Sequence, residues 1–255
     1  MASTIDWRNI PAAIWRGRSG TLRPVSRPDP VRLEDLLGID TQKAKILQNT
    51  ERFLRGEPCN HVLLWGSRGT GKSSIVKALL NEYSPRGLRV IEVDKDDLQD
   101  LPDIVDDIRE RSQRFIVYCD DLSFEDGENQ YKHLKSVLEG SLELPPENVR
   151  LYATSNRRHL VPEYMKDNEQ SQVVGREIHH GDVVEEKISL SDRFGLALSF
   201  YPISEPQYFE IVDHLFGPVK DRAKLHVRAR RFSMEKGVRS GRTARQFYNQ
   251  FSGEL

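Results

Sequence analysis

The chain has 255 residues, with 38 Lys and Arg against 39 Asp and Glu, for a formal net charge of −1. Charged residues at 30% and apolar residues at 37%, with no apolar run longer than the five residues Phe115 to Cys119, exclude a helical membrane span of ~20 residues. The balanced charge gives no whole-chain signal for nucleic acid. With two isolated cysteines, Cys59 and Cys119, and no basic head leading an apolar stretch at the N-terminus, the expectation is a cytoplasmic protein with no membrane partner.

Residues 1–30 hold three prolines in their last seven positions (Pro24, Pro28, Pro30) and little apolar periodicity, and read as an arm or linker with Trp7, Ile14 and Trp15 available to dock, on the chain's own domain in preference to a partner. Thr41 can cap a helix running to Leu54, which Gly56 and Pro58 stop. Strands and helices then alternate. Val62–Trp65 is a buried strand, Lys72–Tyr83 a helix, Leu88–Val93 a strand, Leu101–Arg111 an acidic helix, and Arg114–Cys119 a strand. Glu128–Glu139 reads as a helix, Val149–Ala153 as a fourth strand and Leu196–Tyr201 as a fifth. Short apolar runs separated by helices predict an α/β fold: a parallel five-stranded sheet covered on both faces. Residues 166–187 interrupt this order as a long polar loop. After Ser204 come three helices and no strand: Pro206–Phe216, Arg222–Lys236 and Thr243–Phe251. The expected division is an arm over 1–30, an α/β domain over 31–203 and a helical appendage over 204–255.

Gly66-Ser67-Arg68-Gly69-Thr70-Gly71-Lys72-Ser73 satisfies G-x-x-x-x-G-K-[ST] at every constrained position, between an apolar strand and a helix. Backbone N–H groups that converge on phosphate oxygens require glycines where the chain curls close to the ligand. Lys72 adds a point charge for the β and γ phosphates, Ser73 a hydroxyl for Mg²⁺, and Ser74 continues the loop into a helix whose positive end faces the same anion. ATP and Mg²⁺ are therefore the expected ligands.

Hydrolysis needs a carboxylate for the metal and an oriented water. The apolar strand Phe115–Cys119 ends in Asp120-Asp121, at the sheet edge where ligands bind in open parallel sheets. Asp120 would hold Mg²⁺ through water, and Asp121 would act as general base. The fourth strand ends in Thr154-Ser155-Asn156; Asn156 is the choice for bridging γ-phosphate and water, with the two hydroxyls as competitors. Arg193, just before the fifth strand, cannot easily reach its own phosphate site but can reach that of a neighbouring copy.

The order of these parts resembles the AAA+ P-loop ATPases from about Val31 to the C-terminus. The resemblance implies a helical lid over 204–255, a second sensor in Gly241-Arg242-Thr243-Ala244-Arg245, and a cover for adenine in Asp35–Asp40, with Leu37 and Ile39 at the base. There Thr243 would cap a helix and Arg245 would face the γ-phosphate, with Arg242 as runner-up. It also implies an oligomer of identical chains in which Arg193 acts as an arginine finger. Within the superfamily, strings such as Leu-Leu-Trp-Gly-Ser-Arg-Gly-Thr-Gly-Lys-Ser-Ser and Ser-Leu-Ser-Asp-Arg-Phe-Gly resemble a bacterial single-module family of unassigned role. The resemblance leaves the client protein unknown. One departure stands out: most members carry Glu where this chain has Asp121, one methylene shorter.

Arg222–Arg245 carries nine Lys and Arg against Glu235 alone, while Glu92–Glu110 carries nine acids against Lys95 and Arg109. The first stretch could track a phosphate backbone, but Phe232 is its only aromatic, so stacking on bases has little support. Opposite patches on one chain suit head-to-tail contacts at least as well. Two readings follow: an ATPase, or a weakly hydrolysing nucleotide-dependent loader for DNA or a partner protein.

Overall fold

A computed structural model describes residues 5–124, 133–134, 137–138, 144–157 and 190–254, and the backbone of two short strands at 172–174 and 177–179. The described strands are β1 (Ala12–Arg16), β2 (Thr21–Pro24), β3 (Val62–Gly66), β4 (Leu88–Glu92), β5 (Arg114–Cys119), β6 (Val149–Ser155), β7 (Gln172–Val174), β8 (Glu177–His179) and β9 (Leu196–Phe200). The helices are α1 (Asp40–Leu54), α2 (Lys72–Tyr83), α3 (Leu101–Ile108), α4 (Glu205–Phe216), α5 (Arg222–Glu235) and α6 (Gly241–Phe251).

The main sheet has seven strands in the order β2-β1-β4-β5-β6-β3-β9, with β7 and β8 paired apart. The five expected strands, β4, β5, β6, β3 and β9, run parallel. Their continuous apolar runs split by strand alternation. Leu63, Phe115, Val117 and Cys119 pack on one face with α3, while Val62, Leu64, Ile116 and Tyr118 pack on the other with α1 and α2. Helix α3 follows the same logic in its own period: Leu101, Ile104, Val105 and Ile108 are buried, and its acids face outward. Full burial of each such side chain contributes about 1.5–3 kcal/mol.

The structure extends the expected sheet. Residues read as an arm supply β1, parallel to β4 through Ala12–Val90, and β2, antiparallel to β1. The reason is a buried cation on β4. Arg89 donates to the carbonyls of Trp7 (2.6 Å), Arg8 (3.1 Å), Ser84 (2.9 Å) and Leu88 (2.7 Å), tying the arm to the sheet. Trp7 sets its ring edge-on to Phe115 at 5.0 Å, and Trp15 Nε1 donates to Asp100 at 2.8 Å. Two expected caps also change. Helix α1 begins at Asp40, so Thr41 lies inside it. Helix α6 is capped by Ser240, whose hydroxyl accepts from Thr243 N at 3.1 Å, so Thr243 is not the cap.

Helices α4–α6 enclose a separate apolar cluster that includes Tyr208, Val212, Leu225, Ala229 and Phe247. The helix expected over 128–139 and the polar loop expected over 166–187 lie mostly outside the described residues. Among the described residues, no helix is long and apolar enough to cross a membrane.

Candidate functional site

Strand order decides which side chains meet. Because β6 lies between β5 and β3, the carboxyl ends of the three strands deliver Asp120-Asp121, Asn156 and the glycine loop side by side. They open on a cleft of about 1140 Å³. Its floor is Arg68 to Ser74; the acidic pair, Thr154 and Asn156 form one wall, and Leu37 and Ile39 another. Ile203, Ile211, Leu215, Arg242 and Arg245 close it from the lid side.

The loop is built for close backbone approach. Gly66 has φ +124°, and a Cβ there would lie 2.0 Å from the Phe200 carbonyl oxygen, so no side chain fits. Thr70 donates to the Ser67 carbonyl at 2.7 Å, bracing the curl. Gly71, in the left-handed region at φ +101°, leads into α2, whose first N–H groups have no partner within the helix. Gly66 and Ser67 lie beneath the cleft rather than lining it, and their carbonyls accept from Lys72 Nζ at 2.7 and 2.8 Å. Lys72 Nζ also donates to Asn156 Oδ1 at 3.3 Å. Burial pushes the Lys72 ammonium below its ordinary pKa, against the pull of Asp121 and Asp120.

Asp120 sits within a set of hydroxyls. Its Oδ1 accepts from Ser73 Oγ at 2.8 Å, from the Tyr118 hydroxyl at 2.7 Å and from Thr154 Oγ1 at 2.5 Å. Burial works to raise its pKa, but the hydrogen bonds from Thr154, Tyr118 and Ser73 outweigh it and hold the carboxyl below the usual value. An ionised carboxylate beside a serine hydroxyl is a hard oxygen donor set, which fits Mg²⁺ rather than a thiophilic or imidazole-seeking metal.

Asp121 has φ +52°, the only positive φ outside glycine among the described residues. Its carboxylate accepts a short hydrogen bond from Asn156 Nδ2 and lies 3.9 Å from the Arg68 guanidinium. Of the three polar residues ending β6, the Thr154 hydroxyl is committed to Asp120 and Ser155 is buried, with its hydroxyl accepting from Arg157 N at 3.1 Å. Asn156 alone reaches both Lys72 and Asp121.

The α4–α6 unit meets the loop directly. Arg242 N lies 3.4 Å from the Gly69 carbonyl oxygen, and a Cβ on Gly69 would come within 2.9 Å of Ser240 Oγ. Arg242 and Arg245 both line the cleft. The covering segment is pinned by Lys43, which donates to Leu33 O and Leu36 O, and by Asp35 paired with His214 of α4 at 3.1 Å. Arg193 stands apart. It precedes Leu196, which pairs with Val62 at the opposite, amino edge of the sheet, so the whole of β3 separates it from the loop. Sequence reasoning missed Tyr118, and named Thr154 only as a competitor of Asn156, not as a partner of Asp120; the available signal for Tyr118 was strand periodicity, which puts residue 118 on the same face as residue 120 just beyond β5.

With this geometry in place, comparison with known proteins gives three kinds of likeness. The model of a family described as "Protein of unknown function (DUF815)" matches residues 8–255. The replication factor C large subunit of Staphylothermus marinus is 36% identical over 76 residues, 29% of this chain and 17% of that protein. The 26S proteasome regulatory subunit 6B homolog of Schizosaccharomyces pombe is 37% identical over 79 residues, 28% of this chain and 20% of that protein. The chain thus spans about a fifth of the length of these relatives. A solved structure of a point mutant of RuvB from Thermotoga maritima aligns with a TM-score of 0.51 at 16% identity, covering 87% of this chain and 73% of that one. The RuvB likeness shows a shared AAA+ fold, and the local sequence matches support kinship with the AAA+ P-loop ATPase superfamily.

Proposed function

We propose a function for this chain, which belongs to the DUF815 family: it binds ATP with Mg²⁺ in the cleft, hydrolyses it, and converts nucleotide state into movement of the lid. One observation carries the reading. The phosphate loop, the acidic strand end and the start of α6 all face one cleft, and Arg242 N and Ser240 of the lid already touch the loop at Gly69.

In this reading the N–H groups of residues 68–74 hold the phosphates, and Lys72 exchanges the carbonyls of Gly66 and Ser67 for phosphate oxygens. Leu37 and Ile39 cover the base. Ser73 and Asp120 hold Mg²⁺, which supplies charge neutralisation across the phosphates. Asp121 accepts the proton of the attacking water, and Asn156, already bonded to both Asp121 and Lys72, keeps the two in register. Arg242 and Arg245 report the γ-phosphate to the lid, taken as residues 204–255. Arg193, on the far edge, completes the site of a neighbouring copy, so the active form is a homo-oligomer acting on a client protein.

The test is ATP turnover across a range of protein concentrations with Arg193→Ala. Specific activity should rise with concentration, and the variant should bind ATP normally while losing about 10³-fold in turnover. Unchanged turnover in Arg193→Ala removes the finger role. No turnover by the wild type at any concentration, with ATP bound, leaves the second reading, a weakly hydrolysing loader. That reading is favoured by Asp121, short and already held by Asn156 and Arg68. DNA is a poor partner for it, because much of the basic stretch is spent inside the lid. Arg222 pairs with Asp213, Arg228 with Glu254, Arg230 and Arg239 with Glu205, and Arg231 with Glu235.

A further inference from the structure

One carboxylate oxygen in the cleft is crowded and its twin is not. Oδ1 of Asp120 accepts from three hydroxyls, Ser73, Tyr118 and Thr154, and lies 3.2 Å from Asp121 N. Among the described residues no donor reaches Oδ2. Ser73 belongs to the phosphate loop, but the other two hydroxyls have no place in the nucleotide-binding roles assigned above. Tyr118 is 4% exposed and points into the packed face of β5 with Ile116 and Val90, so it lies beneath the ligand space. A phenylalanine would fill the same volume; the hydroxyl is an addition whose acceptor is Asp120. Thr154 does two things with one hydroxyl. Its proton goes to Asp120, and its oxygen accepts from Asp121 N at 2.9 Å, holding Asp121 in its left-handed conformation.

We propose that Tyr118 and Thr154 are positioning residues that clamp Oδ1 of Asp120 and leave Oδ2 as the oxygen available to a divalent cation. The inference rests on the proposed ATP and Mg²⁺ function. Charge-assisted O–H···O⁻ bonds are short and strong, and three on one oxygen stop the carboxylate rotating. The clamp therefore acts on metal affinity rather than on nucleotide affinity as such. Through Thr154 it also ties the metal-binding acid to the neighbouring acid.

The experiment follows binding of a fluorescent, non-hydrolysable ATP analogue, first in EDTA and then with MgCl₂ titrated in. Tyr118→Phe should bind the analogue in EDTA as the wild type does, yet need about tenfold more Mg²⁺ for half of the metal-dependent change, the scale of lost outer-shell partners. Thr154→Val should shift the titration the same way, and Thr154→Ser, which keeps the hydroxyl, should restore the wild-type midpoint. Melting curves separate this from misfolding: should Tyr118→Phe fail to fold, the Thr154→Val and Thr154→Ser pair decides the question alone. Mg²⁺ titrations that superimpose on the wild type in the folded variants overturn the clamp and leave the proposed function standing. A wild type that binds the analogue neither with nor without Mg²⁺ overturns both.

Discussion

Two cations are buried to almost the same extent, Lys72 at the start of α2 at 7% exposure and Arg89 on β4 at 6%, and burial lowers the pKa of each. Their surroundings differ in kind. Arg89 is closed on all sides: four backbone carbonyls take its N–H groups, and among the described residues no carboxylate pairs with it. Lys72 rests on two carbonyls and an amide oxygen, but it lines a cleft and feels the fields of Asp121 and Asp120. Burial by itself therefore does not mark a functional cation. A cation enclosed by the fold, with no open space at its donors, serves the fold. One whose acceptors border an open cleft can exchange them for a ligand.

The strongest way to break this comparison is Lys72→Met. Loss of charged hydrogen bonds to phosphate, about 3 kcal/mol in all, should weaken ATP binding roughly hundredfold. Stability should move the other way. A lysine whose folded-state pKa lies below its unfolded value opposes folding at neutral pH, and the opposition fades only as pH rises toward the unfolded value. The Met variant should thus melt no lower than the wild type near pH 7. Calorimetry with ATP, beside a thermal melt, checks both halves. A clear drop in melting temperature would place Lys72 with Arg89 as a structural cation.

Arg89→Met should give the mirror image. It leaves the carbonyls of Trp7, Arg8, Ser84 and Leu88 without their donor and loosens the arm that carries β1 and β2. A cost of about 3 kcal/mol is expected, or roughly 6–12 °C in melting temperature, with ATP affinity unchanged. Limited proteolysis should then cut within the first 30 residues before the rest of the chain. A weakened ATP affinity at full stability would show that the arm edge and the loop edge are coupled, and that the two cations are not separable.

The same contrast explains what could be read from the sequence. The loop edge was legible because its demands are local: glycines at fixed spacing, a lysine and serine after them, and acids ending an apolar run. The five parallel strands followed from uninterrupted apolar stretches such as Phe115–Cys119. The arm edge was not legible, because β1 is five residues long, begins Ala-Ala, and is held by Arg89 some 80 positions away. Prolines at 24, 28 and 30 gave the segment the look of a linker, yet Pro24 is the last residue of β2 and the other two lie beyond the strand. Tyr118 was hidden for another reason: inside an apolar run a tyrosine reads as packing, and its hydroxyl acquires meaning only when β6 brings Thr154 alongside. The distance of Arg193 from its own loop follows from chain order alone, since residues before a strand start at the edge opposite to the one where the ligand binds.

A third, half-buried base sharpens the rule by its smaller effect. His61, just before β3, accepts from Leu151 N through Nδ1 at 2.9 Å, and burial, aided by nearby Arg150, pushes its pKa down to about 4. Unlike the two cations it has, among the described residues, no set of acceptors for a charge, so it stays neutral. Its folded-state pKa lies below the unfolded value of 6.5, so the unfolded chain binds the extra proton first as pH falls. Stability attributable to His61 is therefore intact above pH 6.5 and is lost progressively between 6.5 and about 4, amounting to about 2 kcal/mol at pH 5. Urea unfolding at pH 7 and pH 5 measures the loss, and His61→Gln, which cannot take up the proton, should flatten it. If the variant loses as much stability on acidification as the wild type, protonation of carboxylates elsewhere governs the acid limb. His61 would then be inert to pH, and the number of acceptors around a buried base would no longer explain which bases carry charge.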